Sequence, residues 1–165
     1  DRRVIFAEIE AFAAALPRTG AVAGLDLGTK TIGVAVSDGL RAIATPLTTI
    51  RRTKFTADAA ELDRPRAGRE RAGLLLGLPR NMDGSDGPRA QSTRAFARNL
   101  DARAPRPLAF WDERLSTVAA ERALLEADTT RKRRGEVIDH VAASYILQGA
   151  LDRMGRIGAR ADDHD

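Results

Sequence analysis

The sequence predicts an α/β domain, a five-stranded mixed sheet flanked by helices in the order βββαβαβαα. Three observations carry that reading. Three apolar runs, 21–27, 31–37 and 42–50, follow one another through short links containing Gly28 and Gly39, the signature of an antiparallel meander. Two more, 71–79 and 108–112, alternate with helical patterns, as parallel strands with crossover connections do. At 165 residues, 43% hydrophobic and 30% charged, the chain has the size and composition of a single globular domain.

The elements follow in order. In VIFAEIEAFAAAL, 4–16, Ile5, Ile9, Phe12 and Leu16 recur at helical spacing, so an amphipathic helix is expected inside an N-terminal extension of about 1–19. This run carries Glu8 and Glu10 and is too short to span a bilayer. After the meander, 55–62 reads as a helix that Pro65 should stop. RAGLLLGLP, 71–79, is continuously apolar, as a strand buried on both faces would be. A helix over about 89–100 has Thr93, Phe96, Ala97 and Leu100 on one face, and LAFWD, 108–112, is the fifth strand. Ser116 or Thr117 can cap a helix running to about 127. The basic break TTRKRRGE then precedes a last helix over about 136–153. The domain is expected to fill 1–154, with 155–165 a disordered tail.

The absence of cysteine excludes disulfides and thiolate metal sites and fits a cytoplasmic protein. Formal net charge is +4, and arginine supplies nearly all of the 27 basic groups, lysine occurring only at 30, 54 and 132. Arginine suits phosphate because its planar fork donates in pairs.

Asp26 is the anomaly in the apolar strands. Alternation places it on one face with Val22, Gly24 and Gly28, while Ala23, Leu25 and Leu27 share the other. The next strand alternates Ile32, Val34 and Val36 with Gly33, Ala35 and Ser37, so one face of the hairpin is bulky and the other is kept small. A carboxylate on a small-residue floor is costly to bury unless it is paired, protonated or metal-bound. Asp112 and Glu113 end the fifth strand, where strand gives way to loop. Asp139 lies on a helical stripe with Ala142, Ala143, Ile146 and Ala150. Acids from three distant elements are the oxygen donors that a hard divalent ion wants. Each also has a plainer reading: Asp139 as a satisfied surface charge, Asp112 or Glu113 as a partner of Arg114.

The motifs GLDLGTKTIGVAVSD, ATPL at 44–47, GLP at 77–79, MDGS at 82–85, DERLST at 112–117 and ID-x-x-AA-x-x-ILQ at 138–148 occur in one order over about 20–152. Together they closely resemble the YqgF family of bacterial pre-16S rRNA nucleases, whose members have also been described as Holliday junction resolvases. The resemblance implies a ribonuclease H-like fold, with Asp26, Glu113 and Asp139 as catalytic metal-binding acids and Asp112 as a further candidate ligand. It implies Mg²⁺ or Mn²⁺, two ions, and cleavage at the 5′ end of precursor 16S rRNA. Lys30, Arg114 and the run Arg131, Lys132, Arg133 and Arg134 are the expected nucleic-acid contacts, with Arg51, Arg52 and Lys54 extending the track. Two stretches depart from the family pattern, the charged ELDRPRAGRERAG and Arg80 after GLP; they bear on the first helix and its flanking surface, not on the identity of the acids.

Three rivals stand beside this reading. Junction resolution would act on branched DNA and needs a symmetric dimer, whereas the chain is expected to be a monomer or weak dimer. A degenerate binding module would have lost its acids, and all three are here. DLGT also resembles the phosphate loop of actin-like ATPases, but those need two such lobes; a P-loop is excluded because G-x-x-x-x-G-K-[ST] does not occur. RNA, and branched DNA as the alternative, are the partners expected; a membrane is not.

Overall fold

In the computed structural model the backbone is described over residues 5–64, 71–115 and 131–163, and the side chains of the last segment over 140–158. The elements are β1 (Ile5–Phe6), α1 (Ile9–Ala15), β2 (Ala21–Leu27), β3 (Thr31–Ser37), β4 (Ala44–Arg51), α2 (Phe55–Asp63), β5 (Arg71–Leu78), α3 (Pro88–Arg103), β6 (Leu108–Asp112) and α4 (Arg131–Asp163). A single 3-10 turn, Glu113–Leu115, follows β6. The strand order is β1-β6-β5-β2-β3-β4. The β2–β3–β4 meander is antiparallel, and β2–β5, β5–β6 and β6–β1 pair parallel. A three-strand meander extended by parallel crossover strands is the ribonuclease H-like sheet.

The sheet has six strands rather than the five expected. Ile5 and Phe6 pair with Leu108 and Ala109, so the N-terminal segment opens as a strand and becomes helical only at Ile9. Helical spacing of Ile5 with Ile9 hid this, because a two-residue strand has no periodicity of its own. The rest of the stripe behaves as expected: Phe12 and Leu16 are buried, and a Cβ at Gly73 would lie 2.6 Å from Leu16 Cδ2.

Alternation divides the core in two. Ala23, Leu25, Leu27, Ile32, Val34, Leu74 and Leu76 face α2 and α3, whose Ala59, Leu62, Phe96, Ala97 and Leu100 cover them. On the other face Val22, Ala35, Leu75, Ala109 and Trp111 meet Phe12 of α1 and the apolar side of α4. Pro46 is tolerated because β4 is an edge strand and the ladder shifts register beside it. Asp38 closes the β3–β4 turn by accepting the N–H groups of Ala42 and Ile43 at 2.8 and 2.9 Å, and these hold its pKa below the ordinary value.

Helix α4 differs most from expectation. It begins at Arg131, so the basic run forms its opening turns rather than a break, and it continues to Asp163 through the segment expected to fray. Met154 and Ile157 give the extra turns a reason, since both pack on the core. The helix expected over about 117–127 and Pro65 lie outside the described residues. No helix among those described is long and apolar enough to cross a membrane.

Three contacts seat α4 on the sheet. Gly24 lets it approach: a Cβ there would stand 2.7 Å from Leu147 Cβ and 3.1 Å from the Ala143 carbonyl. The Gln148 amide works like one more residue of sheet edge, its Nε2 donating to the Ala42 carbonyl at 3.0 Å and its Oε1 accepting the Ala44 N–H at 2.8 Å. One end of the contact is thus held at Ala44. At the other, His140 Nδ1 is hydrogen-bonded to Thr49 Oγ1 at 2.9 Å.

Two stability predictions follow from these contacts. Gly24→Ala should lower the free energy of urea unfolding by about 1–3 kcal/mol, since the obstructing atoms include backbone. Asp63 accepts hydrogen bonds from both Arg103 and Arg106. Burial pushes its carboxyl up, but the two guanidinium groups outweigh that and hold the pKa below the usual aspartate range. The stabilisation is therefore complete above the unfolded value of about 3.9 and is lost as pH falls through the lower folded value. Asp63→Asn should cost about 1 kcal/mol at pH 7 after solvent screening, and the gap from wild type should close on acidification below pH 4.

Candidate active site

The register of the strands sets the site. Asp26 is 4% exposed and lies one residue before the C-terminal end of β2. Directly opposite on β3 is Gly33, and opposite Gly33 on β4 is Thr49. On the other side Leu25 pairs with Leu76, so Gly77 comes beside Asp26. Paired residues share a face, and this is the face that α4 covers. Asp26 is thus framed by Gly24 and Gly28 along its strand and by Gly33 and Gly77 across it; α4 occupies the space over Gly24, and Ile146 with Glu113 the space over Gly77.

Glu113 comes to the same place from β6. Trp111 pairs with Gly77, and the side chain two residues on returns to that face. A Cβ at Gly77 would lie 2.8 Å from Glu113 Oε1, so the carboxylate fills the space that this glycine leaves.

Asp139 is placed only through its helix. His140 is bonded to Thr49, and Thr49, Gly33 and Asp26 stand in one row across the sheet. The backbone at 139 therefore lies at the level of Asp26, on the helix that covers Asp26's face. The side chains of Asp139, Arg131, Lys132, Arg133 and Arg134 lie outside the described residues, as do Ser116 and Thr117. Among the described residues no three His, Cys, Asp or Glu side chains group closely enough to hold a metal ion.

Asp112 points the other way. Strand alternation sends it to the α3 face, where the Arg114 guanidinium grips both its oxygens, Nη2 at 2.6 Å and Nε at 3.0 and 3.1 Å. The Arg114 backbone N–H adds a bond at 3.0 Å, and Arg80 approaches to 3.9 Å. These cations, Arg114 first, hold the Asp112 carboxyl below the usual range and push the Arg114 pKa up. Arg114 Nη1 also donates to the Met82 carbonyl at 3.2 Å, which ties the loop after β5 to the loop after β6. That loop is the MDGS stretch. Its turn needs Gly84, which has φ +87° and packs against the Arg114 guanidinium. Arg80, the residue that departs from the family pattern, is ion-paired with Asp86 at 3.2 Å.

Lys30 is exposed at the tip of the β2–β3 hairpin, and its carbonyl accepts the Arg52 N–H. Two residues that hold the end of β2 carried no motif signal for that role. Arg52 donates to the Gly28 carbonyl at 2.7 Å and Arg89 to the Leu27 carbonyl at 3.3 Å. Arg52 stood in a basic stretch, but Arg89 had nothing to mark it.

The fold is that of a ribonuclease H-like domain, with Asp26 and Glu113 on the α4 face of its sheet. The chain belongs to the RuvX family, described as Holliday junction resolvase, whose model matches residues 20–153, and this is the YqgF group of the motif reading. A relative from Cereibacter sphaeroides (strain ATCC 17029) bearing the name "Putative pre-16S rRNA nuclease" is 74% identical over 155 residues, covering 94% of this chain and 97% of its own. Relatives under the same name from Paracoccus denitrificans and Rhodobacter capsulatus are 74% and 73% identical, covering 94% and 89% of this chain and 98% and 92% of theirs. Among solved structures, T. thermophilus RuvC in complex with a Holliday junction substrate matches with a TM-score of 0.48 and 14% identity, over 82% of this chain and 96% of that one.

The role of Gly77 can be tested by adding one methyl group. Gly77→Ala brings a Cβ to 2.5 Å from Ile146 Cδ1 and 2.8 Å from Glu113 Oε1. Ile146 is fully buried and Glu113 only partly so, which makes the carboxylate the group with room to move. The variant should keep its circular dichroism spectrum and lose about 10- to 100-fold in nuclease rate.

Proposed function

We propose that this protein is a divalent-metal-dependent endonuclease of the cytoplasm that hydrolyses phosphodiester bonds in RNA, trimming the 5′ end of precursor 16S rRNA. One observation carries the reading: Asp26 of β2 and Glu113 of the turn after β6 lie on the same face beside Gly77, at the level where α4 brings residue 139. The names of relatives at 74% identity over nearly their whole length favour precursor rRNA as the substrate.

The donor set fits Mg²⁺ or Mn²⁺. It is all oxygen, and one member is almost wholly buried. Asp26, Glu113 and Asp139 would hold the metal, as one or two ions. Bound there, it supplies a water of lowered pKa and a counter-charge for the leaving oxygen. The protein's own part is positional. Asp26 is fixed by its strand, Glu113 by the turn that Asp112 and Arg114 pin, and Asp139 by the seating of α4. In this scheme Asp112 is a positioning residue and not a ligand. Lys30, Arg114 and the basic opening turns of α4 would meet the phosphates on either side.

The family description favours a second reading, resolution of four-way DNA junctions. Resolution cuts two strands symmetrically and so asks for a dimer, whereas trimming asks for one site on one chain.

Wild type and Asp26→Asn should be incubated with precursor 16S rRNA and with a four-way DNA junction, with Mg²⁺, Mn²⁺ or EDTA. Wild type should cut the RNA only with metal, and Asp26→Asn should be slower by at least about a hundredfold with an unchanged spectrum. Glu113→Gln should match that loss, and Asp112→Asn should fall short of it. Equal cleavage by Asp26→Asn would overturn the assignment. Paired symmetric cuts in the junction alone would select the resolvase reading.

A further inference from the structure

Most arginines with described side-chain bonds are matched to acids: Arg80 and Arg94 to Asp86, Arg103 and Arg106 to Asp63, Arg114 to Asp112 and Arg153 to Glu10. Arg41 bonds instead to the carbonyls of Gly20 and Pro17, and Arg52 and Arg89 follow the same pattern. Neither has a carboxylate partner among the described residues, and their side chains bond only to the carbonyls of Gly28 and Leu27. The acid near Arg52 in sequence, Asp58, is buried and turned to the N–H and hydroxyl of Thr53. Neither guanidinium charge is therefore matched by an acid among the described residues.

They also share a cavity. A hollow of about 230 Å³ opens between the β2–β3 hairpin and α3, lined by Gly28, Thr29, Arg52, Arg89 and Ser92 among others. Each arginine uses one N–H on a backbone carbonyl, out of the five that a guanidinium carries. The Arg52 guanidinium is further steadied over the Phe96 ring, 5.6 Å from its centroid. Side chains held in this way lose little freedom when an anion takes their remaining donors. Thr29 and Ser92 add hydroxyl donors at the rim, and Lys30 and Lys54 are exposed on the flanking turns.

The position is as informative as the chemistry. Gly28 is two residues beyond Asp26 on the same strand, about 7 Å along it. The hollow opens on the α3 side of the sheet, so a nucleic-acid strand with one phosphate at the acids on the α4 side would cross the end of β2 to bring a neighbouring one here.

We infer that Arg52 and Arg89 form a phosphate subsite that holds a backbone phosphodiester of the substrate strand beside the one to be cut. The inference rests on the nuclease reading for its ligand and adds a place where the strand is gripped. Charge and donor geometry are all it reads, so it is indifferent to base sequence.

The test is binding without turnover. A labelled single-stranded RNA is titrated with wild type, with the double variant Arg52→Gln/Arg89→Gln and with Arg52→Lys/Arg89→Lys, in EDTA, at several salt concentrations. Each phosphate contact on a single strand contributes about 0.7 to the slope of log affinity against log salt. The glutamine variant should show a slope shallower by about 0.7, and the lysine variant should restore it. A set of RNAs, each with one neutral methylphosphonate, should reveal one linkage whose neutralisation weakens wild type several-fold and leaves the glutamine variant unaffected.

An unchanged slope and an unchanged methylphosphonate profile in the glutamine variant would overturn the subsite. So would a uniform loss across all linkages with a lowered melting temperature, which would mark the arginines as supports of β2 alone. The nuclease reading is scored separately, by cleavage with metal. A wild type that cuts RNA while the slope stays fixed loses only the subsite. One that shows the slope change and does not cut loses only the nuclease. One that binds no RNA loses both.

Discussion

Everything at the site depends on where α4 comes to rest on the sheet. A helix lying on strands can slide along them unless something sets its register, and apolar contact is indifferent to such sliding. Here Gly24 admits the helix backbone, Gln148 locks one end to the edge of β4, and the His140–Thr49 bond fixes the other. A shift of one helical turn is about 5.4 Å, enough to carry residue 139 away from the row that contains Asp26. The polar bonds are individually modest. Their value lies in direction, since they can be made in only one alignment.

The sheet itself sorts the acids. Asp112 and Glu113 are neighbours in sequence, yet alternation turns them to opposite faces, one to an arginine and the other to the side occupied by Asp26. Asp112 accepts three hydrogen bonds from the Arg114 side chain and one from its backbone. The same guanidinium reaches the Met82 carbonyl, so a single side chain orders the turn after β6 and the loop after β5. Both loops leave the carboxyl ends of parallel strands, the edge where α/β sheets place their ligands.

Much of this was legible in the sequence, for physical reasons that differ by element. The meander was visible because alternation and glycine links are local signals, and β2, β3, β5 and β6 came within a residue or so of their observed bounds. Asp26 stood out because a carboxylate in an apolar strand violates a burial rule. Strand β1 was not legible, because two residues carry no period and their pairing depends on a strand far downstream. The length of α4 was missed because 155–165 was read as a tail, when Ile157 within it packs on the core. The choice between Asp112 and Glu113 was closed to sequence, since either could have met Arg114. Arg89 was invisible because its interest comes from what it lacks among the described residues, an acidic neighbour in space.

The pairing of Ile5 and Phe6 with Leu108 and Ala109 has a consequence for biogenesis. On the ribosome the first strand emerges about a hundred residues before the one it pairs with, so it has no ladder to join while the meander is closing. Loop closure over that span costs only slightly more than over a shorter one, but it must wait for synthesis to reach β6. Ile5 and Phe6 therefore join the sheet only once β6 has been made, when the meander and β5 already exist.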